Sequence, residues 1–215
     1  MKKNLIALAV AAAVAAPMVA SADATIYGRL HEDFGSVSNG DESTMAVTNN
    51  ASRIGFKGSE DLGDGLKAIW QIESSLGNDS SSFSGGSLAS RNTFVGLSGG
   101  FGTALIGKHD TPYKIIGRKV DLFGDQYGDT RALTNGFGQD ARPNNVVAYA
   151  TPDLGGFGVL AAYVAPNAVD NTATPQDESG SSYSINATYS SDMFWVGGAY
   201  QDMAYTTDFN DGVTA

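Results

Sequence analysis

Two histidines stand beside carboxylates in this sequence: His31 precedes Glu32 and Asp33, and His109 precedes Asp110. A His–Asp pair next to a hydroxyl is the arrangement that makes a serine nucleophilic. Serine is abundant, but it clusters in loop-like runs such as NDSSSFSGGS at 78–87. Both histidines therefore read first as solvated side chains, and a hydrolase is the weaker expectation. The acids Asp41, Glu42, Asp170, Asp177 and Glu178 lack the D-x-[DN]-x-[DN]-G spacing of a calcium loop. Glycine-rich GSEDLG and SGGFG lack the lysine of a phosphate-binding loop. There is no cysteine, which removes thiolate chemistry and disulfides together. The expectation is no catalytic residue, no metal site and no cofactor.

The arginines are placed more regularly. Arg29, Arg53 and Arg91 each sit in a stretch where apolar and polar residues alternate. At 25–34 (TIYGRLHEDF), Ile26, Gly28, Leu30 and Phe34 share one face, and Tyr27, Arg29, His31 and Asp33 share the other. Residues 52–58 (SRIGFKG) set Ile54 and Phe56 against Arg53 and Lys57. Residues 66–74 (LKAIWQIES) set Leu66, Ala68, Trp70 and Ile72 against Lys67, Ile69, Gln71 and Glu73. RNTFVGL, TALIGK, NVVAYAT, FGVLAAYVA, YSINATYS and FWVGGAYQ complete about nine predicted strands.

The first residues form a different unit. Lys2 and Lys3, an apolar run from about Leu5 to Val19 and Ala20-Ser21-Ala22 have the layout of a cleavable export signal at 1–22. Removing it leaves 11 basic against 23 acidic residues, a formal charge of −12. That balance excludes nucleic acid as a partner, because neutralising phosphates takes a surplus of Lys and Arg. No later stretch has the 18 or so consecutive apolar residues of a spanning helix.

The connections carry as much as the strands. Short turns at 60–65, 98–102, 151–156 and 190–193 alternate strictly with long polar segments at about 35–51, 75–90, 109–145, 166–182 and from 202 onward. Long loops at one end and short turns at the other are the layout of a transmembrane β-barrel. Lipid offers no hydrogen-bond partner, so strands cross it only in a closed barrel, apolar outside and polar inside. An arginine on the lipid face near the midplane costs roughly 2–4 kcal/mol. Arg29, Arg53 and Arg91 are therefore expected to face a watery lumen, with Ile54, Phe56 and Trp70 facing lipid.

The blocks ATIYGRL, SRIGFKGSEDLGDGLKAIWQIE and RNTFVGLSGGFGTALIGK resemble the general, trimeric outer-membrane porins of Gram-negative bacteria, of the beta- and gammaproteobacterial type. The resemblance runs from residue 25 to about 200. It implies an all-β fold, an antiparallel transmembrane β-barrel of about sixteen strands, of which about nine fall at 23–215. It also implies a passive diffusion channel for ions and small hydrophilic solutes, assembled as a homotrimer among lipopolysaccharide and outer-membrane lipid, reached by export through the periplasm. The family narrows its pore with the third external loop, here about 109–145, whose acids face a basic ladder on the wall. Arg29 in YGR, Arg53 in SRIGFKG and Arg91 in SRNTF match the ladder, and Asp121 and Asp125 in KVDLFGDQYGDT match the loop acids. The usual Pro-Glu-Phe-Gly-Gly run is replaced by Gly124-Asp125-Gln126-Tyr127-Gly128, which predicts a differently shaped tip.

Opposed rows of fixed charge in a narrow passage set up a transverse field that a polar solute tolerates and an apolar one does not. Lys114, Arg118, Lys119 and Arg131 also lie on the long segment, so the sequence leaves ion preference open. An adhesin, receptor or structural barrel without an open pore is the alternative, and it predicts no conductance. Nine strands cannot close a barrel, so the chain is expected to be part of a longer protein or to be completed by a second chain.

Overall fold

The computed structural model describes residues 23–38, 40–77, 88–126, 128–134, 140–166 and 181–203. The expected signal at 1–22 lies outside them, as do 78–87, 167–180 and the chain beyond 203 within the expected long loops. The strands are β1 (Asp23–Arg29), β2 (Glu32–Ser38), β3 (Ser43–Asn49), β4 (Arg53–Gly63), β5 (Leu66–Ser75), β6 (Thr93–Gly99), β7 (Gly102–Lys108), β8 (Val146–Ala150), β9 (Phe157–Val164), β10 (Ser182–Ser190) and β11 (Trp195–Asp202). Two helices, α1 (Pro112–Val120) and α2 (Arg131–Thr134), interrupt the segment between β7 and β8. No helix among the described residues is long and apolar enough to cross a membrane.

One antiparallel sheet takes nine strands in the order β1-β4-β5-β6-β7-β8-β9-β10-β11, and β2 with β3 forms a separate pair. Eight of the nine correspond to strands predicted from alternation, and the ninth prediction, a single strand over 25–34, breaks at residues 30–31 into β1 and the start of β2. The first long segment differs: 35–51 was expected as a loop, and most of it is the β2–β3 hairpin, in register from Glu32↔Asn49 to Ser38↔Ser43. Its Thr44, Val47 and Thr48 are β-branched and suit a pleated ladder despite their polar neighbours. Between β3 and β4 Ala51 takes φ 57°, and the buried Ser52 Oγ accepts from His31 N–H at 2.9 Å.

Two short turns share one device. Gly102 (φ +108°) and Gly156 (φ +89°) each lie so close to the next strand that a Cβ would fall 2.2 Å from the Ala150 carbonyl and 2.3 Å from the Ser190 carbonyl. Only glycine reaches that conformation and that distance together.

Alternation divides the sheet into two faces. Cross-strand register lines up Trp70, Val95, Ile106 and Val147 on one face, and Val95, Ile106 and Val147 are more than half exposed. Ile26 and Phe56 pair on the same face. Along β10, the buried Ser182, Ser184 and Asn186 alternate with outward Tyr183, Ile185 and Ala187. The other face is not uniformly polar. Leu105, Val146, Ala148, Ala162 and Val164 form a buried cluster there, backed by Phe94 and Leu160. These residues face the side on which the long segment folds, and α1 lies across β9, β10 and β11. The polar lining expected of that face holds for β1, β4 and β5, and gives way where the chain packs on itself.

Helix α1 begins where the chain supplies the signals for it. Thr111 caps it, its Oγ1 accepting from Lys114 N–H at 3.3 Å, and Pro112 occupies the first turn, where no amide donor is needed. Arg118 and Lys119 in the last turn oppose the negative end of the helix dipole. Ser184 Oγ accepts from Tyr113 N–H at 3.0 Å, and Asn186 Nδ2 donates to the Pro112 carbonyl at 2.8 Å, which anchors the helix start to β10.

Candidate functional site

The site forms where the segment between β7 and β8 returns to the strands at the other end of the sheet. Arg29 and Arg53 are cross-strand partners on β1 and β4. Like charges directly opposite destabilise a strand pair unless something neutralises them. Asp125 does so: its Oδ2 lies 3.2 Å from Arg29 Nη1 and 3.4 Å from Arg53 Nη1. Its Oδ1 accepts from Arg118 Nη2 at 2.6 Å and Arg131 Nη2 at 3.1 Å. One carboxylate thus meets four guanidinium groups, two from the sheet and two from its own loop.

Asp125 sits in the left-handed region at φ 61°. The loop holds it there through Asp129, whose Oδ2 accepts from the Asp125 amide at 2.7 Å. Asp129 also takes Arg118 Nη1 at 2.9 Å and Arg131 Nη2 at 2.7 Å. Burial would raise both carboxyls. The surrounding arginines outweigh it and hold both below the usual carboxylate range, while the two aspartates push Arg118 up against its own burial. The tip is thus charged on both sides at neutral pH.

The neck of the segment is fastened separately. Lys114, buried on α1, lies 3.0 Å from Asp110 Oδ1 and 3.3 Å from Asp140 Oδ2. Arg142 Nε stands 2.9 Å from the same Asp110 oxygen and 3.0 Å from Asn92 Oδ1. Burial alone would raise Asp110, but Lys114 and Arg142 bring it down to about 2. Burial lowers Lys114, against the pull of Asp110. Thr111 N–H donates to the Ala141 carbonyl at 3.2 Å, closing the neck through the backbone.

Arg91 takes a different partner. Its Nε lies 2.6 Å from Oε1 of Glu73, a buried residue of β5 whose Oε2 accepts from Tyr27 O–H at 2.9 Å and stands 4.0 Å from Arg53 Nε. The structure therefore joins Arg29, Arg53 and Asp125 directly, and reaches Arg91 through Glu73. Asp121 stays within its loop: its Oδ1 accepts from Phe123 N–H at 3.0 Å, its Oδ2 from Thr130 N–H at 3.4 Å, and Arg118 lies 3.6 Å away.

Glu73, Asp129 and Arg142 were missed from the sequence, and Asp110 was read only as the neighbour of His109. Glu73 had one signal, since it falls on the same alternating face as Arg53, but nothing local pairs it with Arg91. Between loop and sheet lies a cavity of about 240 Å³ lined by Arg53, Arg91, Lys114, Arg118, Arg131 and Arg142, with only Asp110 and Asp125 as carboxylates. A larger recess of about 1030 Å³ lies among Trp70, Val95, Ile106 and Val147 on the apolar face, away from these charges.

Neither histidine is set up for nucleophilic catalysis. His109 Nδ1 lies 2.8 Å from the Asp110 carbonyl oxygen, and its ring meets Phe94 edge-on at 5.3 Å. His31 Nδ1 contacts Arg29 Nη2. The sequence does contain a G-x-S-x-G match at 96–100. Ser98 there lies in a β-hairpin, 3.0 Å from Thr103 Oγ1, and not at a strand-to-helix elbow. Among the described residues no group of His, Asp or Glu could hold a metal ion.

The Gram-negative porin family matches residues 7–215 of the chain. Major outer membrane protein P.IB of Neisseria gonorrhoeae is 35% identical over 217 residues, which cover 91% of this chain and 56% of that protein. P.IB of Neisseria meningitidis serogroup B is 35% identical over 218 residues, covering 94% and 60%. The chain thus spans somewhat more than half the length of these curated relatives. Among solved structures, the anion-selective porin from Comamonas acidovorans superposes with a TM-score of 0.70 at 24% identity, over 85% of this chain and 58% of that one. Salmonella typhi OmpF in complex with daunomycin gives 0.61 at 18% identity, over 90% and 58%. At such identities the two structures speak for the β-barrel fold alone.

Proposed function

The chain belongs to the Gram-negative porins of the outer membrane, and from that premise we propose that it supplies the constricted part of a passive diffusion channel for ions and small hydrophilic solutes. The observation that carries this reading is Asp125, brought from the long loop onto Arg29 and Arg53 of the wall. A loop so fastened narrows the lumen and leaves a charged cavity beside it. Arg29, Arg53 and Arg91 are the basic wall, Asp125 the facing acid, and Asp121 the residue that closes the turn carrying it. No bond is made or broken, and no cofactor or energy input is needed.

Ion preference follows from the cavity. Six cationic side chains and two carboxylates line it, while Asp129 and Glu73, paired with Arg118, Arg131 and Arg91, are not among the lining residues. An anion entering meets guanidinium groups, so the constriction favours anions although the whole chain is acidic at −10. The acids elsewhere are screened beyond about 8 Å at physiological salt. The working unit we propose is a homotrimer surrounded by lipopolysaccharide and outer-membrane lipid.

The test is planar-bilayer conductance of the full-length gene product. Stable ohmic steps, with a reversal potential in a KCl gradient that favours chloride, are the expected result. A folded protein that never conducts would mean a barrel without an open pore, and a potassium-favouring reversal would remove the charge argument only.

A further inference from the structure

The cavity between loop and sheet holds more donors than its own acids can take. Its lining is charged except for Ile115. Arg118 and Arg131 give their guanidinium groups to Asp125 and Asp129, and Lys114 lies between Asp110 and Asp140. Arg53, Arg91 and Arg142 are placed differently. Arg91 offers Nε to Glu73 at 2.6 Å, and Arg142 offers Nε to Asn92 at 3.0 Å and stands 2.9 Å from Asp110. Arg53 gives Nη1 to the Ala51 carbonyl and to Asp125, each at 3.4 Å. Among the described residues, no hydrogen-bond acceptor meets Nη1 or Nη2 of Arg91, Nη1 or Nη2 of Arg142, or Nη2 of Arg53.

These side chains are not bathed in solvent, being only 25%, 14% and 17% exposed for Arg53, Arg91 and Arg142. A charge taken largely out of water needs a counter-charge and acceptors for its donors. The carboxylates within reach are already shared: Glu73 between Arg91 and Arg53, Asp110 between Arg142 and Lys114, and Asp125 among four arginines. What is left over is positive charge with terminal amino groups ready to donate.

The geometry of those donors selects the anion. A guanidinium presents its N–H groups as a planar fork that matches two oxygens of a phosphate or a carboxylate. Chloride is a sphere and gains nothing from a fork, and a carboxylate fills one fork only. The oxygens of a phosphate point in tetrahedral directions, so it can meet several forks at once. The cavity volume of about 240 Å³ lies below the roughly 300–1,000 Å³ of sites for drug-sized ligands, which suits a small oxyanion and not a sugar or a nucleotide.

We propose that Arg53, Arg91 and Arg142 form a binding site for a small phosphate oxyanion in the cavity beside the constriction. The site rests on the anion preference assigned to this cavity above and names the anion class; occupancy itself requires no ion flow.

The experiment is calorimetric titration of the folded full-length protein in detergent with inorganic phosphate, at about 0.1 M salt. Saturable binding is expected, about tenfold tighter than that of acetate or chloride measured by competition. Arg142→Lys keeps a charge beside Asp110 but removes the fork, and weakens phosphate about tenfold, as does Arg91→Lys. Lys67→Gln, which does not line the cavity, keeps the wild-type affinity. No saturable binding, equal affinity for phosphate, acetate and chloride, or an unchanged phosphate affinity in both lysine variants overturns the site. Should neither variant fold, the competition in the wild type decides. Bilayer recordings separate the two readings. A protein that conducts but binds no phosphate overturns the site alone, whereas one that binds phosphate as expected and never conducts upholds the site and overturns the channel.

Discussion

Asp125 Oδ2 stands 3.4 Å from Arg53 Nη1, across 72 residues of chain, and this contact fastens the long loop to the first strands of the wall. The arginines it meets come from β1, β4, α1 and α2, so one side chain ties four elements together. Removing it should therefore be felt both in the pore and in the stability of the loop.

Asp125→Asn leaves four guanidinium groups around a neutral amide. The loop tip should loosen by about 2 kcal/mol, the range for losing charged hydrogen bonds. In bilayers this reads as added current noise and a further shift of reversal potential toward chloride. A quiet channel with unchanged selectivity would detach Asp125 from the constriction.

Neutralising Arg53 and Arg91 together removes two of the six cations lining the cavity. Relative potassium permeability should rise several-fold, with conductance retained. The double variant also leaves the buried Glu73 with Tyr27 alone, so Arg53→Gln with Arg91→Gln is the safer pair for folding. An unmoved reversal potential would place these arginines away from the ion path.

Acid should open the neck in a defined window. Asp110 is held at about 2, below the usual carboxylate range, so its contribution is full above about pH 4 and is lost as pH falls through about 2. That difference corresponds to about 2 kcal/mol. Asp125 is shifted in the same direction and adds to the loss. The protection of the Thr111 amide, which donates to Ala141 across the neck, relative to the intrinsic exchange rate at each pH, should hold at pH 5 and fall only below about pH 4. Loss of protection already at pH 5 would mean that Lys114 and Arg142 do not hold Asp110.

Gly102→Ala places a Cβ 2.2 Å from the Ala150 carbonyl, at a φ of +108°. Strain of about 1–3 kcal/mol is expected, together with displacement of the β7–β8 ladder. Refolding yield in detergent, followed by the gel mobility of the folded form, should drop clearly. Gly100→Ala meets nothing within 4 Å and serves as the control.

The sheet was legible in the sequence because a strand in lipid writes its two faces as a period of two. Ile26, Phe56 and Trp70 could face outward only if Tyr27, Arg53 and Gln71 faced inward, and the register agrees. Local signals for α1 were also present in Thr111 and Pro112, though the segment's charge and glycine content masked them. What the sequence could not hold was distance through space. Arg91 sits 18 residues from Glu73 and Arg29 sits 96 from Asp125, and no local pattern pairs them. Asp121 and Asp125 looked equivalent in KVDLFGDQYGDT, yet a left-handed φ at Asp125 and the grip of Asp129 aim one carboxylate at the wall and leave the other in the turn. Alternation along a strand is decided by neighbours two residues apart; the partners of a buried charge are decided by where a loop lands, and only the folded chain settles that.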